Sequence, residues 1–111
     1  MTNFKELDHE GFYLAATSAE VVDGRITTFI LDQSTIILTR INGAIHAFSA
    51  QCPHASGDLT QGTLHRGRIA CPDHSYKFDI RTGFPIWPED EVCRLRKYTV
   101  KEEAGQVFVK V

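Results

Sequence analysis

Two cysteine–histidine pairs lie in turn-forming stretches of this sequence, and their residue types suit metal binding. The first pair is Cys52 and His54 in the stretch CPHASG, and the second is Cys71 and His74 in the stretch CPDHSY. Proline, glycine or serine accompanies both pairs, and packing in a core rarely requires such a combination. Thiolates and imidazoles bind iron or zinc, whereas calcium and magnesium take oxygen ligands. The pattern therefore predicts a metal centre held by two loops.

The distribution of the ligand types separates two kinds of metal centre. Structural zinc sites commonly place two cysteines in one knuckle and two histidines elsewhere. Here each loop offers one cysteine and one histidine, which suits a two-iron cluster whose one iron takes both sulfurs and whose other iron takes both imidazoles. A structural zinc that takes all four ligands stays open as the alternative.

Short β-type runs flank both loops and must form the scaffold that positions them. The clearest runs lie at Gly11 to Thr17, Arg25 to Asp32, Ser34 to Ile41, Ala44 to Ala50, Thr63 to Cys71 and Arg96 to Val111. Turn pairs precede or divide several of them, namely Asp23-Gly24, Asn42-Gly43, Arg66-Gly67 and Ala104-Gly105. A helical turn is expected at most near Phe4 to His9. The pattern predicts an all-β sandwich or barrel.

Length and composition restrict the class of protein further. The 111 residues fit one domain over 1–111, and a hydrophobic fraction of 42% can form a core. A formal net charge of −2 argues against a nucleic-acid binder. The sequence has no apolar run near the roughly 18 residues of a membrane span and no visible signal peptide. Three cysteines are too few for a disulfide framework, so a cytoplasmic protein is expected.

The sequence around the two pairs resembles the Rieske [2Fe–2S] proteins, and more narrowly the small Rieske-type ferredoxins. The resemblance rests on INGAIHAFSAQCPHASGDLTQG, CPDHSYKFDIRTG and WPEDEVCRLRKYTVKEEAGQVFVKV, and it is dense from about Ile41 to Val111. It implies an antiparallel β-sandwich or barrel with a small cluster-binding subdomain. Its two cluster loops would span about 51–58 and 71–76, and a covering loop would span about 84–91.

The resemblance also implies the cofactor and its ligands. One [2Fe–2S] cluster per chain would take the sulfurs of Cys52 and Cys71 on one iron and the imidazoles of His54 and His74 on the other. Family clusters lie at a domain tip, so the imidazoles would be exposed and electron uptake would couple to proton uptake. All four ligands are then engaged, and no open coordination site is left for catalysis.

Residues after the last histidine predict the reduction potential. Rieske centres span about −150 to +300 mV, and high-potential members carry a disulfide between the loops and two hydroxyl donors near the cluster. Here neither loop has an extra cysteine, Tyr76 stands two positions after His74, and Phe78 stands four positions after it. A potential at the low end of the range is therefore expected. Ser75 adds a hydroxyl that either reaches a cluster sulfur or faces water.

The implied function is that of a one-electron carrier rather than an enzyme. Such a carrier receives electrons from a flavoprotein reductase and passes them to a terminal oxygenase. A second interpretation is the small subunit of an NADH-dependent nitrite reductase, whose large subunit would be the partner. No nucleic acid or membrane is expected as a partner.

Residues outside the four candidate ligands have plainer interpretations. His9, His46 and His65 are expected to be surface or packed residues, although His65 lies beside Arg66 and Arg68 at a hairpin tip. Cys93 is expected to be a small buried residue at the start of a strand. Trp87 is either a core anchor or a residue that shields the cluster or meets a partner. Gly57, Gly62 and Gly83 are expected to serve turns.

Overall fold

Short strands joined by tight turns form most of the molecule. The computed structural model describes residues 10–53, 57–72 and 75–111. The strands of these ranges are β1 Tyr13–Thr17, β2 Thr27–Leu31, β3 Ser34–Ile41, β4 Ala44–Ser49, β5 Thr63–His65, β6 Arg68–Ala70, β7 Lys77–Asp79, β8 Pro85–Trp87, β9 Lys97–Glu103 and β10 Gln106–Lys110. Two 3₁₀ helices, Ser18–Glu20 and Leu59–Gln61, complete the described elements, and neither is long enough to cross a bilayer.

Six of the strands form a large antiparallel sheet that nearly closes on itself, in the order β1-β10-β9-β4-β3-β2. Tight turns set its register. Asn42 and Gly43 both have positive φ, 51° and 87°, and they join β3 to β4 with Ile41 opposite Ala44. Such a turn follows the right-handed twist of the strands it joins, which is why Asn-Gly favours a hairpin here.

The other four strands form a small antiparallel sheet in the order β5-β6-β7-β8. The Arg66-Gly67 turn joins β5 to β6, and the segment from Cys71 to Tyr76 joins β6 to β7. Together the two sheets confirm the expected all-β architecture with a small subdomain.

The hydrophobic core has two parts, and β3 contributes to both. Ile36 and Leu38 pack in one part, on the inner side of the large sheet, while Ile37 packs in the other part, against the small sheet. All three side chains are fully buried, as their unbroken apolar run predicts. The part that contains Ile37 also contains Cys52 and Cys71, together with Phe48, Leu59, Ile69, Phe78, Ile80 and Leu95.

Most sequence-predicted strands are confirmed, and two segments differ from expectation. Cys93 was expected to be buried at the start of a strand, but it is only half-buried in an irregular segment, and β9 begins at Lys97. The segment expected as a covering loop over about 84–91 contains strand β8, Pro85–Trp87, and is irregular before and after it. The helical turn expected near Phe4 to His9 lies outside the described residues.

Candidate functional site

Both candidate loops are closed at their base by the same backbone hydrogen bond. In the first loop the Cys52 N–H donates to the Gly57 carbonyl oxygen at 2.9 Å. In the second loop the Cys71 N–H donates to the Tyr76 carbonyl oxygen at 2.7 Å. Each bond joins a cysteine to the residue five positions later, so the two loops have equal length. This equivalence is what a centre with matching ligands from two loops requires.

Antiparallel backbone pairing flanks each loop and fixes its orientation. On the two sides of the first loop, the Leu59 N–H donates to the Ala50 carbonyl oxygen at 2.7 Å, and Gln51 pairs with Asp58. The second loop continues the β6–β7 hairpin, in which Ala70 lies opposite Lys77. Because the chain entering each loop is paired with the chain leaving it, the backbone of the loop is restricted. This pairing therefore holds the cysteines in place.

The two cysteines lie in the same part of the hydrophobic core. Cys52 is 1% exposed and Cys71 is 2% exposed, and neither forms a disulfide bond. A bare thiolate is unfavourable among apolar side chains, whereas a thiolate bound to a metal ion is not. Two buried sulfurs at the start of two equivalent loops therefore fit an iron–sulfur cluster as their ligand partner.

The two histidines, His54 and His74, lie outside the described residues. In the sequence, each stands between the cysteine and the residue that closes its loop. The structure thus brings the two cysteines together, and the assignment of the histidines as ligands stays a prediction.

Gly62 makes a close backbone contact with Ala70, the residue before Cys71. Its φ is −83°, so the turn role expected from the sequence does not explain it. A β-carbon at Gly62 would lie 2.2 Å from the Ala70 carbonyl oxygen, which is closer than real β-carbons come. Gly62 follows the 3₁₀ helix after the first loop, and Ala70 precedes Cys71. Glycine is therefore required because the backbone next to the end of the β5–β6 pairing, between the two loops in sequence, leaves no room for a β-carbon.

An aromatic pair lies beside the second loop. The rings of Tyr76 and Trp87 meet edge to face, with centroids 6.3 Å apart. Tyr76 packs against the core, while Trp87 is 49% exposed, so the structure rules out a core anchor for Trp87. The Trp87–Pro88 peptide bond is cis. Trp87 thus presents an aromatic face to solvent next to a cluster loop.

The sequence prediction of a low reduction potential involves Phe78, Ser75 and the two cysteines. Phe78 is fully buried in the core with the two cysteines and has no hydroxyl to donate. Ser75 is exposed and has a positive φ of 59°. Cys52 and Cys71 are both free of disulfide bonds in the described part of the chain.

A partly buried polar bridge links the large sheet to the turn after β7. The Lys97 ammonium group donates to the Arg81 carbonyl oxygen at 2.7 Å and lies 3.2 Å from His46 Nδ1. Burial lowers the pKa of His46, and the nearby charges of Lys97 and Arg81 lower it further. His46 is therefore a packed residue, as expected. Its contact with Lys97 was not predicted from the sequence.

Cys93 has a chemical environment that opposes reactivity. The Glu91 carboxylate accepts a hydrogen bond from the Cys93 backbone N–H at 2.8 Å. A side-chain hydrogen bond to Glu91 raises the pKa of the Cys93 thiol. A raised pKa leaves less of the reactive thiolate at neutral pH.

Comparison with known proteins identifies the family. The model of the Rieske [2Fe-2S] domain matches residues 11–101. Human apoptosis-inducing factor 3 is 34% identical over 95 residues, which cover 82% of this chain and 15% of that protein. The alkene monooxygenase system ferredoxin component of Xanthobacter autotrophicus is 32% identical over 88 residues, covering 78% of this chain and 70% of that protein.

A solved structure gives the same result for the fold. The ferredoxin of carbazole 1,9a-dioxygenase from Nocardioides aromaticivorans IC177 matches with a TM-score of 0.80 and 30% identity, covering 89% of this chain and 96% of that one. This chain spans only 15% of the length of human apoptosis-inducing factor 3, so the whole of that protein is not a guide to function. The family match, the equivalent loops and their buried cysteines together show that the chain belongs to the Rieske [2Fe-2S] family, whose cofactor is a [2Fe–2S] cluster.

Proposed function

We propose that this chain is a one-electron carrier that takes electrons from a flavoprotein reductase and passes them to a terminal oxygenase. The observation that carries the proposal is the pair of equivalent loops whose cysteines lie in one core. Two relatives support the role, because their names describe ferredoxin components of an alkene monooxygenase and of a carbazole dioxygenase. The relatives do not favour the nitrite reductase alternative.

We propose that four residues hold the cluster: Cys52 and Cys71 through sulfur, and His54 and His74 through ring nitrogen. When bound, the cluster accepts and donates one electron. The described residues supply the surroundings. The closed loops limit movement of the cysteines, and the apolar core around them excludes water. Limited movement on electron transfer favours a fast reaction, because little has to rearrange.

Trp87 and Tyr76 are proposed as the protein surface next to the second loop through which a partner approaches. Trp87 offers exposed aromatic area, and aromatic side chains often dominate the energy of protein interfaces. Glu89 and Asp90, both exposed, follow it and suit a partner with a basic surface. The low-potential prediction also stands as a proposal, since Phe78 has no hydroxyl to stabilise the reduced cluster.

The proposal also covers the domain organisation, the cellular compartment and nucleic-acid binding. We propose a single domain over 1–111 that works in the cytoplasm, because its three cysteines form no disulfide and a reducing compartment suits such thiols. A net charge of −2 does not suit binding to nucleic acid.

Reconstitution of electron transfer tests the function. Holoprotein should be reduced by NADH through a ferredoxin reductase, and it should restore turnover of a terminal oxygenase that lacks its own carrier. A protein that is reduced but supports only a nitrite reductase large subunit would support the alternative. A colourless protein that contains zinc and no iron would overturn both.

A further inference from the structure

Lys97 connects the two sheets through its side chain. It is the first residue of β9 in the large sheet, where it lies opposite Phe48. Its ammonium group donates at 2.7 Å to the carbonyl oxygen of Arg81, which lies in the turn between β7 and β8 of the small sheet. The described strands of one sheet do not pair with those of the other. Side-chain contacts of this kind therefore help to hold the small sheet to the large one.

The turn that Lys97 contacts is closed by its own backbone. Gly83 has a positive φ of 82°, and its N–H donates to the Asp79 carbonyl oxygen at 2.7 Å. Asp79 Oδ1 accepts a hydrogen bond from the Arg81 N–H at 2.9 Å. From outside the turn, the Leu95 N–H donates to the Gly83 carbonyl oxygen at 2.9 Å. The Gly83 N–H is thus a hydrogen-bonded amide that reports whether the turn is closed.

The stem of Lys97 passes over this turn before its ammonium group reaches an acceptor. A β-carbon at Gly83 would lie 3.5 Å from Lys97 Cγ and 3.6 Å from Lys97 Cδ, which is ordinary van der Waals distance. Burial lowers the pKa of Lys97, because a partly buried ammonium group has lost part of its water. Such a cation needs acceptors from the protein. It has two, the Arg81 carbonyl oxygen and His46 Nδ1.

His46 serves as an acceptor in one protonation state only. Its Nδ1 lies 3.2 Å from Lys97 Nζ, and an ammonium group can only donate. The imidazole must therefore be neutral, with its proton on Nε2. Protonation would place a second N–H on Nδ1 and bring two positive charges to hydrogen-bond distance. The contact between His46 and Lys97 is then lost.

The charged groups around His46 set when this happens. Burial is the largest effect that lowers the pKa of His46, and the positive charges of Lys97 from β9 and Arg81 from the turn lower it further. Asp79 raises it, but its Oδ1 is also bound by the turn backbone. On the β3 side, the residue opposite His46 is the uncharged Thr39. The imidazole is therefore neutral at pH 7 and takes up its proton in mild acid.

We propose that His46 and Lys97 form an acid-sensitive latch between the two sheets. While His46 is neutral, the Lys97 ammonium group stays between His46 and Arg81, and the turn after β7 is held closed. When His46 is protonated, the ammonium group moves away from both acceptors into water, and the turn opens while the strands remain paired. The change reverses when the pH rises.

Opening of this turn affects the strand that carries Trp87. Strand β8 follows the turn directly, and among the described strands it pairs with β7 alone. A short edge strand of this kind depends on its turn for its position, so the latch also restrains Trp87. The value of that restraint for partner binding rests on the function proposed above, whereas the latch itself does not.

Hydrogen exchange of the oxidised, cluster-loaded protein tests the latch without any partner protein. The protection of the Gly83 amide, corrected for the intrinsic exchange rate, should fall about threefold or more between about pH 7 and pH 5. It should be lower than the protection of the β3 amides at both pH values, because a local opening precedes global unfolding. His46→Gln keeps an acceptor that does not titrate, so its Gly83 protection should be the same at both pH values.

A second variant removes the other half of the latch. Lys97→Met keeps the stem but not the ammonium group, and Gly83 should be about tenfold less protected at pH 7. Lys110→Met, at an exposed position of β10, is the matched control and should leave this protection unchanged. Trp87 carries the one indole of the chain, and its N–H signal should shift in acid together with the loss of Gly83 protection.

Four results would overturn the proposal. They are equal Gly83 protection at both pH values in the natural protein, an equal loss in His46→Gln, Gly83 protection as high as that of β3, and natural protection in Lys97→Met. An indole signal that stays fixed while Gly83 loses protection would overturn the extension of the latch to β8. Because no partner is present, a failure of the proposed function would leave all these results unchanged.

Discussion

Gly62 and the Ala70 carbonyl oxygen approach so closely that a β-carbon on Gly62 would lie 2.2 Å from that oxygen. The contact joins the chain leaving one cluster loop to the strand entering the other. Gly62→Ala must push the backbone of β6 away and should destabilise the protein by about 1–3 kcal/mol, because the obstructing atom belongs to the backbone. We also expect a lower yield of bound iron, measured against protein concentration together with urea unfolding.

Gly105→Ala is the matched control for this variant. A β-carbon at Gly105 meets nothing within 4 Å, although its φ of +78° makes alanine somewhat strained. It should lose some stability, of the order of 1 kcal/mol, and keep its full iron content. Equal iron content in the Gly62 and Gly105 variants would show that the contact does not position the loops.

Trp87→Ala should impair electron transfer without unfolding the protein. The side chain is 49% exposed, so its removal should cost little stability, while an interface that uses it should weaken about tenfold in partner affinity. The check is the rate of oxygenase turnover as a function of carrier concentration. Ile30→Ala, at a 61% exposed residue of β2 in the other sheet, should behave like the natural protein. Equal losses in both variants would indicate a general effect of surface hydrophobicity.

Phe78→Tyr should raise the reduction potential. Phe78 is buried with both cysteines, and a hydroxyl that donates to a cysteine sulfur stabilises the reduced, more negative cluster. One hydrogen bond of ordinary strength corresponds to about 40 mV for a one-electron couple. Potentiometry of the two holoproteins measures the shift. An unchanged or lower potential would mean that the ring at this position does not reach the cluster ligands.

His46 should make the protein less stable in mild acid. Burial and the charges of Lys97 and Arg81 hold its pKa below the ordinary 6.5. The folded state therefore binds fewer protons than the unfolded state as the pH falls below 6.5, and the free energy of unfolding decreases until the pH reaches the folded-state pKa. His46→Gln removes this titration and should give a shallower decrease between about pH 7 and 5, measured by urea unfolding. Parallel curves for the two proteins over that interval would contradict the assignment.

The sequence predicted the strands well where turn chemistry and alternation agree. Asn42-Gly43 and Arg66-Gly67 specify hairpins because both positions of each turn need positive φ. Strand β8 was missed because it has three residues, begins with Pro85 and is followed by Pro88; among the described strands it pairs with β7 alone. Cys93 was wrongly expected to be buried, because its residue type favours burial while its position is set by an irregular segment.

Local sequence could identify the ligand types but not the contacts that arrange them. The sequence predicts that the strand pattern stops at both cysteine–histidine pairs, because Pro53 and Pro72 directly follow the two cysteines. The role of Gly62 depends on Ala70, and the bridge from Lys97 depends on Arg81, so neither is visible in a single stretch of chain. A glycine with ordinary φ gives no sequence signal that separates a turn from a close contact.

The most direct test of the cluster assignment is the iron and acid-labile sulfide content of anaerobically purified protein and of two histidine variants. The natural protein should contain about two irons and two sulfides per chain, as a [2Fe–2S] cluster requires. His54→Ala and His74→Ala should each lose the iron and the visible absorption, while His46→Gln should keep both. Zinc without sulfide in the natural protein, or full iron and absorption in either alanine variant, would contradict the account.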